Sequence, residues 1–278
     1  MTRLLCLVLL MWSALAFALQ PFGLMRKGVP GALRMSALTD LHTALFNKVN
    51  AALNLKVSIP AAPLTADKWV CNAEWFDEAK GSKLTGVTKA LVATADGSDE
   101  YGTLNCWMGP KYFLPHMLLT VGKNAAGQHC VTADYIPRGP NAFGADDSYL
   151  SQHYGNDVLA WYENAMSAPG AIVLPPPKSF SARLLRSPTH LSVGGLSFDD
   201  VVDISHKHVD RWLTWIGEGK ESEPRQRGAL NGRDDKLRVF AFRAAVAEAS
   251  EKFGADVGKL VGAAITGPVA EAYVGGGG

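Results

Sequence analysis

Residues 101–138, YGTLNCWMGPKYFLPHMLLTVGKNAAGQHCVTADYIPR, set the architecture of this chain. YGTLNCWM, HMLLTV and QHCVTADY are strand-length runs of aliphatic, aromatic and β-branched residues, and GPKYF and GKNAAG are the turns between them. Links this short favour antiparallel neighbours, because a parallel pair needs a crossover of a dozen or more residues. Upstream, KLTGVTKALVATA followed by DGSDE continues the pattern. The block reads as the centre of an antiparallel sheet.

Outward from it the period lengthens. Residues 36–53 place Leu38, Leu41, Leu45, Phe46, Val49, Ala52 and Leu53 at helical spacing, with Ser36 or Thr39 available as N-cap. VSIPAAPLTADK then breaks the pattern at Pro60 and Pro63. Helical character returns over residues 147–166. Pro175, Pro176 and Pro177 end it, and SFSARLLRSPTHLSV is a further strand candidate. Residues 199–216 predict a strong amphipathic helix, with Ser197 or Asp199 near its start. Residues 218–233 read as a solvated loop, 234–253 as a helix stopped by Gly254, and 257–265 as one more short helix. Helices, a block of strands, then helices again predict an α/β protein. The form is a three-layer α/β/α sandwich with a central, mainly antiparallel sheet and helices on both faces. One domain over residues 37–270 is expected, with a disordered tail over 271–278.

The 278 residues are 47% hydrophobic and 19% charged, a globular composition with a substantial core. Arg3, the apolar run Leu4 to Leu19 and the small residues Ala14, Ala16 and Ala18 read as a signal peptide over residues 1–19, too short for a stable membrane span. Residues 20–36 carry Arg26, Lys27 and Arg34 without an acidic residue, like the second part of a bipartite plastid leader. Secretion with an unstructured pro-segment is the alternative. The first 35 residues hold four basic and no acidic residues, leaving 23 basic against 26 acidic in the remainder. A mildly acidic body without basic tracts argues against nucleic-acid binding. Cys71, Cys106 and Cys130 have no CxxC or zinc-ligand spacing, so neither a disulfide framework nor a metal site is expected.

No GxGxxG, P-loop or GxSxG motif is present. His206 and His208 point to different faces of a helix, a poor metal pair, and read as surface or capping residues. His42 and His153 read as exposed helix residues.

Four short motifs occur in one order: Gly102, Leu104 and Asn105 followed by Tyr112 and Pro115; Asp134, Pro137 and Arg138; Asp147, Tyr149, Leu150 and Tyr154; and Arg186, Ser187, Pro188 and Thr189. In this order they resemble the red chlorophyll catabolite reductase family, an outlying branch of the ferredoxin-dependent bilin reductases. The resemblance runs loosely from about Leu41 to Ile265 and is sharpest from Gly102 to Val193. It implies an open-chain tetrapyrrole held between the sheet and the helices of one face. Reduced ferredoxin would supply the electrons, with no bound flavin or nicotinamide, in a plastid. A homodimer is compatible with it.

Asn105 stands where the wider bilin reductases carry histidine and the chlorophyll-catabolite branch has Asn, which favours that branch. Two departures accompany the resemblance. Thr120 stands where a carboxylate is implied, and the segment around Arg243, Ala244 and Ala245 lacks the implied Asp. Proton donors must then come from elsewhere. His116 shares a strand face with Leu118 and Thr120 and has a near-neutral reference pKa. Asp134 ends an apolar strand where burial raises a carboxyl's pKa. His129 has the opposite parity and should face away from Asp134. Arg138, Arg183 and Arg186 are candidates for the pigment's propionates. Trp107 and Tyr112 offer aromatic surface. Arg225, Arg227, Arg233, Lys236 and Arg238 could form a basic patch for an acidic ferredoxin. A reductase of another bilin, a carrier that kept the pocket and lost the donors, and a secreted α/β protein of unrelated function are the competing readings.

Overall fold

Ser36 accepts a hydrogen bond from the Thr39 N–H at 3.1 Å and so caps helix α1 (Ala37–Leu53). The helix buries Leu38, Leu41, Leu45, Phe46 and Val49 along one stripe and ends where Asn54 turns left-handed, at φ 50°. There follow β1 (Leu55–Ile59), β2 (Leu64–Ala66), β3 (Trp69–Glu78), β4 (Leu84–Thr94), β5 (Glu100–Met108), β6 (His116–Lys123) and β7 (His129–Ile136). Helices α2 (Asp147–Tyr154) and α3 (Asn156–Met166), strands β8 (Ile172–Val173) and β9 (Leu191–Leu196), and helices α4 (Phe198–Glu218) and α5 (Pro224–Phe253) complete the order. This computed structural model describes residues 36–59, 64–66, 69–79, 83–138, 147–176, 183, 186–219, 221–255, 258, 262 and 266. The leader and the glycine tail lie outside the described residues.

The strands form one antiparallel sheet in the order β1-β3-β4-β5-β6-β7-β9-β8, with β2 paired to β3. Alternation sends Leu104, Cys106, Met117, Leu119, Val131 and Ala133 to one face, under α1, α3 and α4, where none is more than 1% exposed. On the other face Trp75, Trp107 and Ile136 pack against Ala241 and Ala244 of α5. With helices on both sides, this is the expected three-layer α/β/α sandwich.

The order of elements differs from the sequence reading in four places. The segment around Pro60 and Pro63 is flanked by strands β1 and β2, and β3 adds a long strand that was not anticipated. The predicted loop over 218–233 is largely helix, because Pro224 opens α5 at a position where its missing N–H leaves no gap. The helical stretch 147–166 is broken at Gly155, the N-cap position of α3. Of the strand candidate 179–193, the described residues place 191–193 in β9, give Arg183 helical backbone and put Arg186 in the link before β9.

The histidines also depart from expectation. His42, His153 and His208 are 2%, 1% and 0% exposed. His42 donates from Nε2 to the Thr103 carbonyl at 3.0 Å, and His208 Nε2 lies 3.2 Å from the Leu118 carbonyl. Each fastens a helix to the sheet.

Candidate functional site

The helix α5 side of the central strands carries two polar rows. Thr103, Thr120, Thr132 and Ser192 stand directly opposite one another across β5, β6, β7 and β9. Thr103 and Thr120 hydroxyls are 3.2 Å apart, and those of Thr132 and Ser192 are 3.1 Å apart. The next row runs Thr88, Asn105, Leu118 and Asp134. Leu118, Thr120, Thr132 and Ser192 are only half-buried, whereas the residues between them on the opposite face are sealed. One side of the sheet is thus a closed apolar core and the other a polar, partly open floor.

At the edge of that floor Asp134 is gripped by a turn. Ser187-Pro188-Thr189-His190 closes with the His190 N–H donating to the Ser187 carbonyl at 3.2 Å, and proline suits the second position of such a turn. The Ser187 N–H and His190 Nδ1 both reach Asp134 Oδ2, at 3.2 and 3.0 Å. Oδ2 already accepts from the Ser187 N–H, and Nδ1 with its hydrogen in place donates to the same oxygen. Asp134 is 4% exposed, and its Oδ1 and His190 Nε2 are buried with no hydrogen-bond partner among the described residues. The Arg186 Nε is in the same condition beside them. Buried polar atoms are ordinarily satisfied, so three orphans in one turn region mark the floor's edge as built for something else.

Beneath α5 lies a second polar group, sealed from solvent, in which His116 Nε2 also makes no hydrogen bond among the described residues. Arg138, fully buried, pairs through Nε and Nη2 with both oxygens of Asp234 and gives Nη1 to the Tyr112 and Leu114 carbonyls. His116, also fully buried, accepts the Met108 N–H on Nδ1 at 2.9 Å, which leaves the hydrogen on Nε2, 3.3 Å from Asp234 Oδ1. Burial pushes the Asp234 carboxyl up, but His116 and Arg138 outweigh it and hold it below the usual carboxylate range. Burial lowers the His116 imidazole against the pull of Asp234. This cluster clamps the first turns of α5 and the β5–β6 link onto the sheet.

The structure therefore sorts the candidates. Asn105, Thr120 and Asp134 share the polar floor, with Arg186 at its edge. His116 has the anticipated face but is sealed in the clamp rather than at a rim. Arg138 is fully buried and spends four of its five side-chain N–H donors on Asp234 and two carbonyls, so it belongs to the clamp rather than to the floor. Trp107 is fully buried, edge-on to His116 with ring centres 5.2 Å apart. Tyr112 packs toward the opposite core with Lys83 and Lys111 against its ring. Arg183 is exposed and outside the range of β9. His129 lies on the opposite face, its ring 5.4 Å from Phe198, in agreement with its parity. Of the basic patch, Arg238 is 2% exposed and stacks on Trp75, while Arg225 and Arg227 pair with Glu223 and Glu221.

Two residues of the site were missed, His190 and Asp234. His190 follows a Ser-Pro turn signal directly before an apolar run. Asp234 lies between the buried Leu230, Ala241 and Ala244 and the partly buried Leu237 of α5, and a carboxylate at such a position needs a partner.

No protein-family model and no curated protein sequence matches the chain. Solved structures do. Phytochromobilin synthase from tomato, in complex with biliverdin, matches with a TM-score of 0.63 over 84% of each chain at 11% identity. At that identity the likeness shows the fold: the chain has the α/β/α sandwich of phytochromobilin synthase. Among the described residues no helix is long and apolar enough to cross a membrane.

Proposed function

We propose that this protein reduces an open-chain tetrapyrrole bound on the polar floor, with single electrons from reduced ferredoxin and within a plastid. The observation that carries the reading is the asymmetry of the sheet, apolar and sealed on one side, hydroxyl-lined and half-open on the other. An open-chain tetrapyrrole is flat, conjugated and edged with N–H, carbonyl and carboxylate groups. Paired hydroxyls can donate or accept along such an edge, Asp134 Oδ1 is placed to accept from pyrrole N–H groups, and Arg186 Nε to donate to a propionate. The fold likeness to a protein solved with biliverdin supports the same ligand class.

Red chlorophyll catabolite and biliverdin are the two substrates to compare, because the four-motif resemblance favours the first and the fold likeness supports the second. Under anaerobic conditions with reduced ferredoxin, the protein is expected to bleach the long-wavelength band of one of them and release a reduced product, resolved by chromatography. A carrier is the second reading, favoured by Thr120, a hydroxyl bonded to Thr103 where the resemblance implies a carboxylate. Pigment binding with no product over many hours would establish the carrier. No binding of either pigment would defeat both readings.

A further inference from the structure

Resting on that reductase reading, we propose that His190 is the proton donor to the reduced pigment, oriented by Asp134. The geometry carries it. Asp134 Oδ2 accepts Nδ1–H at 3.0 Å while the Ser187 N–H holds the same oxygen, so the imidazole cannot turn without breaking the grip. Nε2 is left buried and unpartnered among the described residues, on the side of the sheet that bears the hydroxyl floor. A base held at one nitrogen by a carboxylate and bare at the other is the arrangement that proton transfer to a bound ligand requires. Neither His116, enclosed by Met108 and Asp234, nor Thr120, a hydroxyl with no acidic proton, offers this.

Asp134, holding Nδ1 through Oδ2, is the positioning residue.

The chemistry balances. One electron from a one-electron iron–sulfur donor makes the pigment a radical anion. The Nε2–H bond of the His190 imidazolium then breaks as a C–H bond forms on the pigment, giving a neutral radical. The imidazole keeps Nδ1–H against Asp134 and regains a proton at Nε2. A second electron and a second proton complete the two-electron, two-proton saturation of one double bond.

The test compares the wild type with His190→Gln, His190→Ala and His129→Gln for pigment binding by absorbance, turnover with reduced ferredoxin, and organic radical by electron paramagnetic resonance. His190→Gln is expected to bind pigment within about threefold of wild type, to lose turnover by ~10²-fold or more, and to accumulate the radical that lacks its proton. Millimolar imidazole should restore part of the turnover of His190→Ala, which a purely structural role would not allow. His129→Gln, on the other face, should match the wild type. Turnover by His190→Gln within a few-fold of wild type overturns the assignment and leaves the reductase reading intact. Loss of pigment binding in both His190 variants overturns the donor role in favour of a binding one. A wild type that binds no pigment removes the reductase reading, and this assignment with it.

Discussion

Gly102 shows how closely single residues are fitted. A Cβ there would lie 2.7 Å from the His42 Cγ, so the α1 histidine can reach the Thr103 carbonyl only because residue 102 has no side chain. Gly102→Ala should cost about 1–3 kcal/mol, read as a lower urea midpoint with unchanged slope. Combined with His42→Ala, the loss should be less than additive, because the clash is gone. Strict additivity would show that the two do not meet. Strand parity made much at this scale legible: His116, Leu118 and Thr120 on one face, and Asp134 opposed to His129. What parity could not reveal is which residues on the chosen face are covered. His116 and Thr120 share a face, yet one is sealed under α5 and the other half-open, and only the path of α5 decides that. The pairing of Asp134 with His190 joins residues 56 apart, and no local pattern in the chain encodes it.

Among the elements, α5 departs most from what its sequence suggests. Its first turns are rich in Gly, Arg and Asp, with no apolar stripe to mark them as helix, and propensity alone reads them as loop. Tertiary contact overrides it, through Asp234 held by Arg138 and His116. Likewise β3, WVCNAEWFDE, interrupts its alternation with polar residues because it pairs on both sides within the sheet but is covered unevenly. Asp234→Asn should leave the buried Arg138 without its counter-charge and cost about 3–5 kcal/mol. Because the clamp acts at α5, amide exchange should speed up there more than in β5–β7. Uniform acceleration through the sheet, or a loss under about 1 kcal/mol, would count against the clamp.

The whole molecule carries its buried histidines as a common acid sensitivity. Burial lowers His42 to about 4, His153 to about 4 and His208 to about 3, and it lowers His116 as well. In the unfolded chain each histidine titrates near about 6.5. Between those values the unfolded state binds more protons than the folded one, so stability falls as pH falls. The contribution is fully present above the unfolded value and is lost on acidification toward the folded one. For His42 alone that is about 3 kcal/mol, a large share of the roughly 5–15 kcal/mol that holds a typical domain together. The depressed carboxyl of Asp234 acts in the same direction but in a more acid range. The protein should therefore lose stability steeply between pH 6.5 and 4, before its carboxylates dominate. His153 isolates the effect. Its ring stands edge-on between Tyr149 and Trp215, at 4.7 and 4.8 Å, and its Nδ1 has no partner among the described residues. His153→Phe keeps an aromatic ring there and removes a proton site and an unsatisfied atom. Urea unfolding at pH 7.5 should show this variant as stable as the wild type or more so. At pH 5 it should retain about 1–2 kcal/mol that the wild type has lost. If the two lose stability in parallel across that range, the acid limb has another source and the buried histidines are protonated in the folded protein.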